Sequence, residues 1–385
     1  MKLIFYCILT GAAYAFPGMR DLQAKILQRQ SANEELVGDL TILADSDLTS
    51  TGRLVKGILT GSDNPQELTA VYSAVPDKDS PECKADTCCI WKHIADDMAS
   101  KMKGTAGRCN GLARQAVRMG FHDAATWSKG TGEGGGSDGS LILARECWDR
   151  DINKGIESGC QQLQELHEKY KSHGVSMADM IQMAANVATV TCPLGPRVRS
   201  FVGRKDSSNQ APDGLLPSPF DSADRLIELF SNKTISAREL AALVGAHTTS
   251  QQFFVDPNRA GDPQDSTPGV WDVEFYGQTT DPNAPKRVFK FQSDVNLSKD
   301  ERTKGAWTAF SGPTGQAPWN SAYARAYIRL SLLGVSNINN LTECTKALPL
   351  PVTSFTSPDK EKLDEFANGG LASAVESVSQ GNIVG

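Results

Sequence analysis

The cysteines limit most how this chain can fold. Nine are present. Cys7 falls in the opening stretch KLIFYCILTGAAYA, residues 2–15, which has a short basic start, an apolar run and a small-x-small end at Ala13 and Ala15. That pattern predicts a cleaved signal peptide over residues 1–15 and a secreted, extracellular protein. Cys83, Cys88, Cys89, Cys109, Cys147, Cys160, Cys192 and Cys344 remain. An even set in an exported chain reads as a disulfide framework, one that ties distant parts of the sequence together. A zinc cluster is the competing reading; Cys88 and Cys89 are adjacent, and no histidine is read at ligand spacing beside them. Acceptor motifs for N-glycosylation at Asn232, Asn296 and Asn340 fit the same compartment.

The apolar leader is too short for a membrane span, and no later stretch is long and apolar enough, so no membrane is expected. A formal charge of −6 over 385 residues gives no bias towards phosphate backbones, which excludes nucleic acid as an expected partner.

Residues 16–80 lack cysteine and read as an amino-terminal extension, 81–352 as the main domain, and 353–385 as a carboxy-terminal tail lying on the surface or mobile. Within the main domain amphipathic stretches alternate with Gly/Pro/Asp loops, and few segments show a strand's period of two. The fold class is therefore mostly α. The predicted helices include CCIWKHIADDMASKM, LARQAVRMGFHDAA, ESGCQQLQELHEKYKSH, SMADMIQMAANVATV, SARELAALVGAHTTSQQ and WNSAYARAYIRLSLLG.

Two constellations offer chemistry. In LARQAVRMGFHDAA, Arg118 and His122 are four residues apart and share one helical face, with Phe121 beside it and Asp123 turned about a quarter turn away. An imidazole and a guanidinium facing one cavity suit proton transfer between two atoms of a bound molecule while a fixed positive charge stabilises the developing anion. A surface ion-pairing helix is the alternative. Gly136, Asp138 and Ser140 follow in a glycine-rich loop; with Asp123 they form an all-oxygen set suited to Ca²⁺, unless the loop is simply exposed. Downstream, His247 closes a helix-like segment with an apolar stripe at Leu240, Leu243 and Val244, as a buried core histidine also would. Thr248, Asp265, Thr267 and Asp272 provide a second oxygen set, and Asp294 is placed to orient His247 through its other ring nitrogen.

The motifs Arg-x-x-Phe-His-Asp at 118–123, Gly-x-Asp-Gly-Ser at 136–140, GRKDSS at 203–208, LVGAHT at 243–248, DSTPGVWD at 265–272 and QSD at 292–294 occur in one order. On them the sequence resembles the secreted fungal class II haem peroxidases of the plant-type superfamily, the group with lignin and manganese peroxidases, from about Cys83 to Pro351. The resemblance implies two helical lobes with haem b between them, reduction of H₂O₂ and oxidation of small aromatic donors. It makes His247 the iron ligand with Asp294 as its partner, His122 the distal acid/base, Arg118 the charge stabiliser and Phe121 a residue packed over the haem. It also makes Asn153 the amide that holds His122, with Glu146 one residue further away than the family's usual Glu. Two Ca²⁺ are implied, one on Asp123, Gly136, Asp138 and Ser140, the other on Thr248, Asp265, Thr267, Asp272 and the Val270 carbonyl. The pairings Cys83–Cys89, Cys88–Cys344 and Cys109–Cys192 are implied too. Cys147 and Cys160 are left over and are expected to pair locally. A monomer is expected.

Manganese-oxidising members carry two Glu, seven and three residues before the distal Arg, and an Asp six residues after the proximal His; here those positions are Gly111, Gln115 and Phe253. Lignin-type members carry a surface Trp five residues before the proximal His, and here Ala242 stands there. Small phenolic donors at the haem edge are what remains. The rival readings are a relocated donor site using a Trp such as Trp127 or Trp307, and a haem-free calcium-binding secreted scaffold.

Overall fold

The computed structural model describes residues 37–130 and 134–385; the signal stretch and residues 16–36 of the extension lie outside them. The main domain is built from α2 (Thr87–Lys101), α3 (Gly111–Ala124), α4 (Glu157–Tyr170), α5 (Met177–Thr191), α6 (Ala223–Ser231), α7 (Ala237–Val244), α8 (Glu274–Thr280), α9 (Gln292–Lys299), α10 (Lys304–Phe310) and α11 (Gln316–Ser331), preceded by α1 (Ser50–Thr60). Among the described residues, strands amount to two antiparallel pairs: Phe201–Val202 with Thr342–Glu343, and Gln251–Gln252 with Asp262–Pro263.

Helix α5 organises the first group of helices. Every residue of it is buried, including Asp179, Gln182 and Asn186, whose side chains each find a hydrogen-bond partner, and it packs against α2, α3 and α4. It meets α3 at Gly120, where an added Cβ would lie 2.6 Å from Ala185 Cβ and 2.2 Å from the Tyr327 hydroxyl, so only glycine fits. Helices α6 to α11 form the second group, with α7 against α10 and α11, and α11 also touching α3. This is the mostly helical, two-part arrangement that the resemblance implies. Side-chain caps fix where the key helices begin: Asn110 accepts from Ala113 N at 3.2 Å to start α3, and Ser236 with Glu239 forms a capping box on α7.

The four disulfides pair Cys83–Cys89, Cys88–Cys344, Cys109–Cys192 and Cys147–Cys160. His93, passed over when ligand spacing was judged from sequence, does lie beside Cys83 and Cys89, but those sulfurs are joined to each other.

Three segments differ from their sequence reading. From residue 37 the extension is part of the body: Val55 and Ile58 are fully buried, and the Arg197 guanidinium donates to the carbonyls of Glu67 and Ala70 as well as Thr345, Leu348 and Pro349. The tail is also folded. Its helices α12 (Lys360–Ala367) and α13 (Val375–Ser379) enclose a small core of Leu363, Phe366, Val378 and Val384. Buried Arg108 pairs with Asp359, so the tail supplies the carboxylate that this interior cation requires. Finally, the helix predicted through His247 stops at Val244 and continues as a 3₁₀ turn, Gly245–Thr249. Within this turn the Thr248 hydroxyl donates to Asp265.

Candidate active site

Helix α3 delivers Arg118 and His122 together. Arg118 Nε donates to His122 Nε2 at 3.2 Å, while its two terminal nitrogens donate to the Lys154 carbonyl at 2.7 Å and the Ile152 carbonyl at 2.8 Å. The surface ion pair is thereby excluded for this helix face: the guanidinium is fixed by carbonyls. His122 Nδ1 lies 2.7 Å from Asn153 Oδ1, and Asn153 Nδ2 donates to the Glu146 carbonyl at 2.8 Å. Because that amide is oriented by Glu146, its oxygen faces the ring, Nδ1 carries the hydrogen, and Nε2 keeps its lone pair. Burial, reinforced by the neighbouring guanidinium, pushes His122 down to about 3, so the imidazole is a neutral acceptor at ordinary pH.

Glu146 reaches Asn153 through its backbone carbonyl. Its carboxylate instead accepts from Ala211 N at 2.6 Å and pairs with Arg150 at 2.9 Å. Phe121 stacks on Phe230 of α6, ring centroids 6.1 Å apart and 1° between planes, joining the two helical groups beside His122.

On the other side, His247 Nδ1 lies 3.0 Å from Asp294 Oδ2, and the ring sits edge-on to Phe275 and Phe291. Asp294 is 1% exposed whereas the His247 side chain is 35% exposed, so the anion is interior and the imidazole faces an opening. With Nδ1 committed, Nε2 is left available and would be able to hold a metal ion.

Both oxygen clusters assemble. Asp123 accepts from Gly139 N at 3.2 Å and Leu141 N at 3.3 Å, Asp138 accepts from Ser140 N, and the buried Ser140 hydroxyl meets no partner among the described residues. Gly136 has φ +99°, and an added Cβ there would lie 2.2 Å from the Leu333 carbonyl. In the second cluster, Thr248 donates to Asp265 at 2.5 Å and lies 3.4 Å from both the Val270 carbonyl and Asp272, while Thr267 lies 3.1 Å from Asp272. Burial pushes Asp123 and Asp265 well up, each helped by a second carboxylate, and raises Asp272 to about 7. Paired interior carboxylates, hydroxyls and a carbonyl without a cation of their own fit a hard divalent ion at each place.

A family model described as Peroxidase matches residues 94–312, a span that contains both histidines with Arg118, Asn153 and Asp294. The chain belongs to the peroxidase family. Within that family it is 30% identical to Ligninase C of Trametes versicolor over 290 residues, 69% of this chain and 76% of that protein. Over 289 residues it is 29% identical to Versatile peroxidase VPS1 of Pleurotus eryngii, 70% and 76% of the two chains. Manganese peroxidase 3 of Phlebia radiata matches at 29% over 300 residues, 72% and 81%. These relatives place it in the fungal class II group, and the enzyme is an H₂O₂-dependent peroxidase that oxidises reducing donors. The family implies a haem-type cofactor.

The peroxidase also shows what occupies the positions where manganese and lignin types differ. Gln115 Oε1 accepts from Gly159 N at 2.7 Å and Ser158 Oγ at 2.9 Å, and Phe253 is exposed. Ala242 is fully buried, with its carbonyl accepting from Trp319 Nε1 at 2.9 Å. Trp127 and Trp307, candidates for a relocated relay, are both buried. Among the described residues no helix is long and apolar enough to cross a membrane.

Proposed function

We propose that this secreted peroxidase holds haem b through His247 Nε2, reduces H₂O₂ to water with His122 and Arg118, and takes single electrons from small phenolic-type donors at the haem edge. The observation that carries this reading is the contrast in how the two imidazoles are fixed: His122 by a neutral amide that leaves Nε2 unprotonated with its lone pair, His247 by a buried carboxylate that leaves Nε2 electron-rich. Bound haem supplies the iron that H₂O₂ meets and the electrons that O–O cleavage takes up. The protein's part is proton handling. His122 Nε2 takes the proton from one peroxide oxygen and delivers it to the other, which leaves as water. Arg118 stabilises the negative charge that builds as the bond breaks, and its carbonyl anchors keep it aimed without reorganisation. Asn153 holds the tautomer; Asp294 gives His247 anionic character.

The donor assignment rests on charge and burial. Gly111, Gln115 and Phe253 supply no carboxylate for Mn²⁺, and Ala242 supplies no surface ring. Asp123, Gly136, Asp138 and Ser140 would hold one Ca²⁺ next to His122; Thr248, Asp265, Thr267, Val270 and Asp272 would hold the other next to His247. Each ion thus steadies the segment that aims a histidine. Secretion is supported by eight cysteines all in disulfides and by exposed Asn232 and Asn340; Asn296 instead donates its amide to the Asp221 carbonyl.

Absorption spectroscopy and metal analysis test the reading together. Haem-supplied protein is expected to show a Soret band that shifts on adding H₂O₂, to carry two calcium ions per chain, and to turn over a phenol in preference to Mn²⁺ or veratryl alcohol. No Soret band sinks the haem assignment, and turnover of Mn²⁺ or veratryl alcohol alone sinks the donor assignment.

A further inference from the structure

The loop that anchors Arg118 and His122 is held only in part by its own packing. Arg118 donates to the carbonyls of Ile152 and Lys154, whose side chains are exposed, and Asn153 between them holds His122. Between Cys147 and Cys160 the buried residues are Asn153, Ile156 and Gly159. A segment with so few buried side chains, and with Gly155 at φ +90°, opens locally at little cost unless its ends are tied. They are tied. Cys147 follows Glu146, whose carbonyl orients Asn153; Cys160 lies in the first turn of α4, 13 residues further on, and the two are joined. Both are buried, and Cys160 Sγ lies 3.4 Å from Sδ of Met119, the neighbour of Arg118 on α3. The bridge therefore closes the loop at its base and seats that base on the helix that carries Arg118 and His122. A short covalent ring removes many of the loop's alternative conformations. Of the disulfides present, this is the one that the resemblance does not imply.

We infer that the Cys147–Cys160 disulfide is a positioning pair for the reaction with H₂O₂: it holds the Ile152 and Lys154 carbonyls and the Asn153 amide in the arrangement that aims Arg118 and His122. This rests on the distal reading above, in which those two side chains handle the peroxide. Groups that stabilise developing charge act fully only when they are aimed before the bond breaks, and a small misplacement is costly. Losing the ring therefore costs the H₂O₂ step, while oxidation of the donor, which does not use His122 and Arg118 for proton transfer between peroxide oxygens, is largely spared.

The test is a kinetic cycle on the holoenzyme: wild type, the Cys147→Ala, Cys160→Ala pair, Asn153→Ala, and the three changes together. Removing the bridge is expected to lower kcat/KM for H₂O₂ by roughly ten- to a hundredfold, while kcat/KM for a phenol changes by less than about threefold. In the Asn153→Ala background the same removal should cost the H₂O₂ step several-fold less, because part of what the bridge positions is already gone. Equal losses for H₂O₂ and phenol, as a lost folded fraction would give, overturn the inference and leave the distal reading intact; so does full additivity with Asn153→Ala. Wild-type H₂O₂ kinetics in Asn153→Ala would fault the distal reading itself. Hydrogen exchange of the wild-type enzyme gives a reading that needs no variant. The amides of Asn153 and Ile156, bonded to the carbonyls of Arg150 and Asn153, should exchange more than about tenfold slower than in an unstructured chain. Weaker protection would mean a loop that opens despite its bridge, and the inference would fall.

Discussion

The two histidines of the site are set by opposite means. His122 is 6% exposed, capped by a neutral amide and flanked by a guanidinium. His247 is a third exposed and tied to a carboxylate. A neutral partner beside a cation holds an imidazole in its unprotonated form, which is what a base needs before it meets its substrate. A carboxylate partner stabilises positive charge spreading onto the ring, which is what a ligand needs as its metal loses electrons. Had the partners been exchanged, the distal ring would be held protonated and the proximal ligand would be electron-poor. On the proposed reading, one side chain type would serve two tasks because the second nitrogen of each ring is bonded differently.

The largest expected effect follows from removing the base. His122→Ala should slow the reaction with H₂O₂ by about 10²- to 10⁴-fold, the range for a positioned acid/base, with haem still bound. Stopped-flow absorbance against H₂O₂ concentration reads this directly; unchanged kinetics would mean that the distal assignment is wrong. A smaller and different effect is expected on the other side. Asp294→Asn keeps a hydrogen-bonding oxygen for Nδ1 but removes the charge. The ferric/ferrous potential should rise, by roughly 60 mV for each tenfold loss of preference for the oxidised iron. A potential that does not move would show that the carboxylate only orients the ring, and the contrast between the two histidines would then be one of position alone.

How much of this was legible in the sequence depended on whether the relevant contact was local. The i, i+4 spacing of Arg118 and His122 was readable because a helix fixes it, and the all-oxygen clusters were readable because their members are near in sequence. The orientation of Glu146 was not, since a carboxylate and a carbonyl of one residue point to different partners and only the backbone path to Ala211 decides between them. The break in the helix before His247 was hidden because the apolar stripe runs unbroken to Val244, where the helix ends. Most hidden of all was the tail. Its polar, Pro-containing start reads as loose chain, and what orders it, the buried cation Arg108, lies about 250 residues earlier.

That tether gives the smallest of the expected effects and a way to sharpen the contrast, because the tail is tied to Arg108, just before the distal helix, and to Arg114 on it, and among the described residues it forms no comparable ion pair with the His247 turn. Despite its burial, hydrogen bonds from Arg108, Val384 N and Ser357 hold Asp359 down at about 2, below the ordinary carboxylate value of 3.8. Its folded-state value is depressed, so its contribution to stability is fully present above about pH 4 and is lost as pH falls through about 2. Asp359→Asn should therefore lower the melting temperature by a few degrees near pH 6, and the gap from wild type should narrow below pH 4, where the wild-type carboxylate is itself being neutralised. If the tail secures only the distal helix, the variant's loosened state should weaken the reaction with H₂O₂ before it disturbs the ferric/ferrous potential. A potential that shifts first would mean that the two halves of the site are coupled through the tail, and that the separation between a base side and a ligand side is less complete than their hydrogen bonds suggest.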